Sequence, residues 1–287
     1  MSQNNRLGIM LMTLATVIFA VQDGISRHLA SEYNVFLVVM LRYWFLVLFV
    51  FALAARKSGG IRRVAQSQRV YIQAFRGFLL AAEICVLVVS FTLLGLVETH
   101  AVFVAYPLLI AALSGPILSE SVGWRRWAAI AVGFCGVLVI LQPGAGVFQP
   151  AVLVAVIGAL MFAVYGLLTR YVSRYDTADT SFFYLGVMGA ICITPIGLWN
   201  WELMSLPDYG WMATLAVIGA LAHWCLIKCY EAAEASAVQP FAYLQLPWVS
   251  LIGFFVFHEE IRANVAIGAA IVVGAGLFTL WRERVKS

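Results

Sequence analysis

FAVQDGISRHLA at residues 19–30 and FAVYGLLTRYVS at residues 162–173 are one segment written twice. At an offset of 143, Phe19/Phe162, Ala20/Ala163, Val21/Val164 and Arg27/Arg170 are identical, while Ile25/Leu168, Ser26/Thr169 and Leu29/Val172 are similar. Further along the offset becomes 140, and Ala82/Ala222, Cys85/Cys225, Pro107/Pro247, Glu120/Glu260, Ala129/Ala269 and Gly136/Gly276 coincide. Weak self-similarity of this period in an apolar chain marks a two-repeat membrane transporter. The series is ordered and includes a proline and a glutamate, which sets it apart from coincidence among a few common apolar types.

The chain has 287 residues, of which 63% are hydrophobic and 11% charged, with a mean hydropathy of +0.94. A soluble domain is roughly 45–50% apolar and about 25% charged. No soluble core hides this much apolar surface, so lipid must cover it. Only Arg6 precedes the first apolar run. That run continues to about Leu29 without a small-residue cleavage site, so it reads as a retained first helix. The five cysteines, Cys85, Cys135, Cys192, Cys225 and Cys229, lie inside apolar runs and read as small hydrophobes without disulfides or metal.

A spanning helix needs about 20 mostly apolar residues. Ten such runs are present: 7–29, 35–55, 70–92, 98–118, 124–142, 150–172, 180–200, 209–231, 237–257 and 264–282. The expected fold is therefore all-α and polytopic. It is one membrane domain over 1–287, with repeat 1 at about 7–142 and repeat 2 at about 150–282. With the N-terminus in the cytoplasm, 13 of the 18 Lys and Arg fall inside and only Arg27 and Arg262 outside, which fixes the expected orientation with both termini cytoplasmic. Five spans per half is an odd number, so the second half is expected upside down relative to the first. Inverted repeats give two related packings around a central cavity, and hence alternating access.

Ten spans in two halves, the repeated Phe19-Ala20-Val21 and Phe162-Ala163-Val164 starts, Arg42, and the segments from Pro107 to Glu120 and Pro247 to Glu260 resemble the drug/metabolite transporter superfamily, specifically its EamA-type permeases. Glu83-Ile84-Cys85, the Tyr106-Pro107 pair and the aromatic content look like the YddG-type amino-acid exporters within it. The resemblance implies a basket of helices, with spans 1–4 and 6–9 lining the cavity and spans 5 and 10 peripheral. Gly133, Gly136, Gly268, Gly274 and Gly276 would suit close packing there.

A charge at a helix centre in hydrocarbon costs at least roughly 2.5–3.5 kcal/mol, so each needs a partner or a wet cavity. Asp23 and Arg42 lie at similar depth and are expected to pair, either structurally or in contact with a substrate. Asp23 with Arg27, four residues on, is the other structural pairing. Glu83 falls near the middle of span 3, and His223, its partner at offset 140, near the middle of span 8. They read either as a hydrogen-bonded pair between the spans or as groups that carry a proton or meet the cargo. Arg76, seven residues before Glu83 on the same face, reads as an inner gate or anchor.

Lys228 is expected to snorkel or pair with Glu231. His258-Glu259-Glu260 has the look of a metal motif but fits helix-end polarity better. The aromatic residues Phe19, Tyr106, Phe162, Tyr165, Tyr243 and Trp248 share a depth and are expected to form the substrate cavity together with Gln22, Glu83, His223 and Gln245. Pro107 and Pro247 fall mid-span at equivalent positions and are candidate hinges.

The chain carries no GxxxxGK[ST] loop, no HExxH and no GxSxG, which argues against ATP use and against an enzyme. The expected function is secondary transport of amino acids, including apolar and aromatic ones, outward across the inner membrane; a drug or another small metabolite is the alternative cargo. No cofactor, metal or nucleic-acid partner is implied. The expected partners are the cargo and the bilayer, with the protein a monomer or weak homodimer.

Overall fold

The computed structural model describes residues 4–57, 59–119, 123–141 and 150–284. All regular structure described is helical. The first half comprises α1 (Asn5–Glu32), α2 (Val35–Arg56), the short α3 (Gly60–Val64), α4 (Val70–Leu94), α5 (Leu96–Phe103), α6 (Tyr106–Leu118) and α7 (Trp124–Leu141). The second comprises α8 (Pro150–Val172), α9 (Ala178–Trp199), α10 (Leu206–Ala232), α11 (Ala235–Ala242), α12 (Gln245–Phe257) and α13 (Ala263–Arg284).

Local chemistry sets the ends. Asn34 caps α2 by accepting from Phe36 N at 2.9 Å, and Ser205 caps α10 from Asp208 N at 3.4 Å. Gly95, at φ 84°, ends α4 and opens α5, a conformation a side chain would resist. A Cβ at that position would also lie 2.9 Å from Glu259 Oε1.

Among the described residues, seven helical segments are long and apolar enough to cross a membrane, with α5 and α6 counted together as Leu96–Leu118. The remaining three expected spans coincide with shorter apolar helices, Trp127–Ile140, Gln245–Phe257 and Ala263–Ala275. Span 9 is short because it is broken. α11 stops at Ala242 and α12 starts at Gln245, two residues before Pro247; in span 4, α5 stops at Phe103 and α6 starts at Tyr106, one residue before Pro107. Proline removes an amide donor and crowds the preceding turn, so each helix restarts at its proline instead of running through it. α6 and α12 also end alike. Ser119 (φ 56°) and His258 (φ 53°) are the non-glycine residues with left-handed backbones among those described.

The packing has a matching regularity. α1 packs on α10 as α4 packs on α8. α1 meets α12 as α8 meets α6, and α1 meets α11 as α8 meets α5. α2 packs on α9, and α7 on α13. Exchanging the two halves thus reproduces the main contacts. The α7–α13 pair reaches the rest of the bundle mainly through α5, α6 and α11.

α7 and α13 cross at two glycines. A Cβ on Gly136 would lie 2.8 Å from Gly268 O, and one on Gly268 would lie 2.6 Å from Gly136 O. Gly133 is held against Leu108 in the same way, at 2.6 Å. Gly274 differs from expectation, because nothing lies within 4 Å of a Cβ built there. The surroundings of Gly276, the position of Glu120 and the loop 142–149 fall outside what is described. Gly136→Leu or Gly268→Leu should cost about 1–3 kcal/mol by overpacking. Each should lower the thermal midpoint in detergent, whereas Gly274→Leu should leave it unchanged.

Candidate functional site

Between α1, α2, α4, α5, α8, α10 and α12 lies a cavity of about 30 Å³. Its lining is part aromatic, from Phe19, Phe91, Phe103 and Phe162, and part polar, from Gln22, Asp23, Arg42, Glu83, His223 and Gln245. Glu83 is 1% exposed and His223 3%, far from any surface water.

The polar groups form a chain of hydrogen bonds. Arg42 Nη2 donates to Gln22 Oε1 at 2.9 Å and to His223 Nε2 at 3.0 Å. Gln22 Nε2 donates to Asp23 Oδ1 at 3.1 Å. Asp23 Oδ2 meets His100 Nε2 at 3.0 Å and accepts from Gln245 Nε2 at 3.0 Å. His100 Nδ1 donates to Leu96 O at 3.0 Å, which leaves Nε2 facing the carboxylate. The expected Asp23–Arg42 pair is therefore not an ion pair. Gln22 stands between them, and Asp23 pairs with His100. Arg27 does not pair with Asp23 either; it pairs with Glu259.

Glu83 and His223 both line the cavity, but no hydrogen bond joins them. Glu83 Oε1 and His223 Nδ1 are buried and have no hydrogen-bond partner.

The aromatic residues sort by layer. Phe19 lies edge-on to His223 with ring centroids 5.1 Å apart. Phe162 packs against Phe103 at 5.4 Å, with Tyr106 behind it at 4.8 Å. Tyr165 is one layer further, 5.8 Å from Phe162 and 6.4 Å from His223. Two expected members are elsewhere. Tyr243 packs with Val104, Leu108, Ile130 and Val272, toward α7 and α13. Trp248 is 42% exposed, on the outer face of the bundle. Pro107 is buried behind the cavity and Pro247 is exposed.

A second polar cluster lies beside Tyr165. Arg76, 0% exposed, donates to Gln73 Oε1 at 2.9 Å, Thr169 Oγ1 at 3.2 Å and Ser181 O. Gln73 Nε2 donates in turn to Asp176 Oδ2 at 2.9 Å. Asp176 also accepts from Ser67 Oγ at 2.5 Å and Gln68 N at 2.9 Å, which ties the approach to α4 onto the α8–α9 turn. Arg76 is thus an anchor between α4, α8 and α9.

Near Arg27, Glu259 accepts from Leu96 N and Val97 N, each at 2.8 Å, and so caps α5 while it binds the arginine. That is the role of the His258-Glu259-Glu260 run, and no His/Cys/Asp/Glu group suited to a metal occurs among the described residues. Lys228 Nζ donates to Glu231 at 2.7 Å.

The sequence reading missed His100, Gln73 and Asp176. His100 and Asp23 lie far apart in sequence, and no repeat match pointed to them. Gln73 had a signal in hindsight: it lies three residues before Arg76, on the same helical face.

A polytopic helical bundle around a part-polar, part-aromatic cavity is the architecture of a membrane transporter. The chain belongs to the EamA-like transporter family, whose family model matches residues 6–142 and again residues 149–281. It is 30% identical to a riboflavin transporter of Vibrio cholerae, over 96% of this chain and 94% of that one. It is 25% identical to an S-adenosylmethionine uptake transporter of Rickettsia prowazekii, over 96% of this chain and 93% of the other. A solved crystal structure superposes with a TM-score of 0.74 and 16% identity, over 98% of this chain and 99% of that one, and so shares its fold. These relatives are named for riboflavin and S-adenosylmethionine; they support the alternative of another small metabolite and lend no support to amino-acid export of the YddG type.

Arg42→Leu should leave Gln22 Oε1 and His223 Nε2 without a donor. The cost should be about 1–3 kcal/mol for each neutral group left unpaired, read as a lower thermal midpoint in detergent. Trp248→Ala should stay within about 0.5 kcal/mol of wild type and leave transport intact.

Proposed function

We propose that this protein is a secondary transporter for a small metabolite built on a flat nitrogen heterocycle with a polar tail. One observation carries this reading: a single buried cavity is lined both by aromatic rings and by a chain of hydrogen-bonding groups. Riboflavin and S-adenosylmethionine, for which the relatives are named, share that chemistry. Each joins a planar nitrogen ring system to a sugar-derived, hydroxyl-bearing portion. Rings can sandwich the flat part while Arg42, Gln22, Asp23 and Gln245 bind the polar part. The relatives named for S-adenosylmethionine are uptake carriers, so net movement is inward on this reading.

The chain works as ten spans in two inverted halves. Three features support this: the two family matches, the contacts that repeat when the halves are exchanged, and the matched breaks before Pro107 and Pro247. The basic loops support a carrier in the inner membrane with both termini in the cytoplasm. A cavity of about 30 Å³ admits little more than water, whereas a ligand of this size needs about 300 Å³ or more. The helices must therefore part to load cargo, and α6 and α12 can swing at their breaks.

Counterflow in proteoliposomes tests the cargo. Labelled riboflavin or S-adenosylmethionine should exchange saturably, and excess phenylalanine or tryptophan should not compete. Exchange of amino acids alone would sink the reading. The hinges have their own test. Pro107→Ala and Pro247→Ala should each slow uptake by about tenfold, as expected when a gating motion sets the rate. Unchanged rates would make the breaks static.

A further inference from the structure

We infer that Glu83 and His223 read the hydrogen-bonding edge of the cargo's heterocycle, with Glu83 Oε1 accepting from a ring-edge N–H and His223 Nδ1 donating to the ring acceptor beside it. The inference rests on the heterocycle reading above and names the two groups that give it specificity.

The tautomer follows from Arg42. A guanidinium has no acceptor, so the 3.0 Å contact makes His223 Nε2 the acceptor. A neutral imidazole carries its one proton on the other nitrogen, so Nδ1 is a donor. That donor is buried and unpartnered, and so is the acceptor Glu83 Oε1. Both side chains line the same cavity, on α10 and α4. Buried polar atoms without partners are few in folded proteins, and one donor and one acceptor on side chains that line a single cavity make a specific chemical demand. Both atoms are closed to a water-sized probe here, so they meet cargo only when the helices part to load it.

A flat nitrogen heterocycle meets that demand with adjacent atoms. The pyrimidine part of a flavin presents N3–H between two carbonyls. Adenine presents its exocyclic N–H beside N1. Either can donate to Glu83 and accept from His223 in one plane. Phe19, edge-on to His223, and Phe162 beside it can cover the ring faces. An aliphatic amino acid has no such edge. Arg42 acts here as a positioning residue, because it holds His223 in the donating tautomer.

The test compares parent and edge-blocked compounds in the counterflow assay: riboflavin with 3-methylriboflavin, and S-adenosylmethionine with its N6,N6-dimethyl analogue. On wild-type protein the blocked compound of the transported pair should compete at least about tenfold more weakly, as for a site whose polar group is left unpaired. Glu83→Ala should shrink that ratio to within about twofold, because nothing is then left to pair. Glu83→Gln, which keeps an acceptor oxygen and the volume, should retain most of it. A purely structural Glu83 would weaken both compounds alike and leave the ratio unchanged in Glu83→Ala. That result overturns the inference, as does equal competition by parent and blocked compounds on wild type, a comparison that needs no variant. If wild type moves neither parent, the heterocycle reading fails and this inference falls with it.

Discussion

The bundle depends on one constraint: a polar group far from water must find its partner inside the protein. Asp23, Arg42, His100, His223 and Gln245 come from five helices and are each at most 8% exposed. None could remain charged or polar in lipid alone. Linked through Gln22, they form a continuous run of hydrogen bonds from α10 and α2 across α1 to α5 and α12. The run fixes which helix faces inward. Rotating α1 by a fraction of a turn would strand Gln22 and Asp23 together. Apolar side chains impose no comparable demand, because lipid suits them as well as a neighbouring helix does.

That constraint explains how the α-helical fold was legible while part of the site was not. Run length and hydropathy identify helices because every backbone group in lipid must be satisfied within its own segment. Depth along a run put Glu83 and His223 at one level, and in the structure both line one cavity, as do Phe19, Gln22, Phe162 and Gln245. Face was harder to read. In an unbroken helix the 3.6-residue repeat carries facing from one turn to the next. In span 9 the break between Ala242 and Gln245 resets that phase. Hence Gln245 points into the cavity, while Trp248 faces outward and Tyr243 faces the α7–α13 pair. Partner choice was harder still. Asp23 pairs with His100 instead of Arg42 because the neutral Gln22 amide fits between them, offering an acceptor to one and a donor to the other.

The breaks and the cavity belong together. α5 ends at Phe103 and α6 begins at Tyr106, so the interruption falls beside the rings of Phe103 and Phe162. α12 begins at Gln245, whose amide reaches Asp23. An intact helix hides its backbone groups within the segment. A restart frees several of them, and a polar cavity is where they can be tolerated. The prolines therefore sit where a site can absorb the disruption, and the site gains segments that can tilt separately.

The two ends of the bundle are tied by different chemistry, and the difference bears on how it could open. At one end, Glu259 holds Arg27 and the first amides of α5, with both charged side chains partly exposed. At the other, Asp176, Gln73 and the fully buried Arg76 bind α4 to α8 and α9. Partly exposed pairs are weakened by water and salt and contribute on the order of 1 kcal/mol or less. Breaking a buried cation's contacts costs several times more unless new partners replace them. The Glu259 end can therefore part at modest cost. The Arg76 end needs new partners for its cation before it parts, so the two ends of the bundle differ in how readily they open, a difference that suits a carrier that must not open both at once.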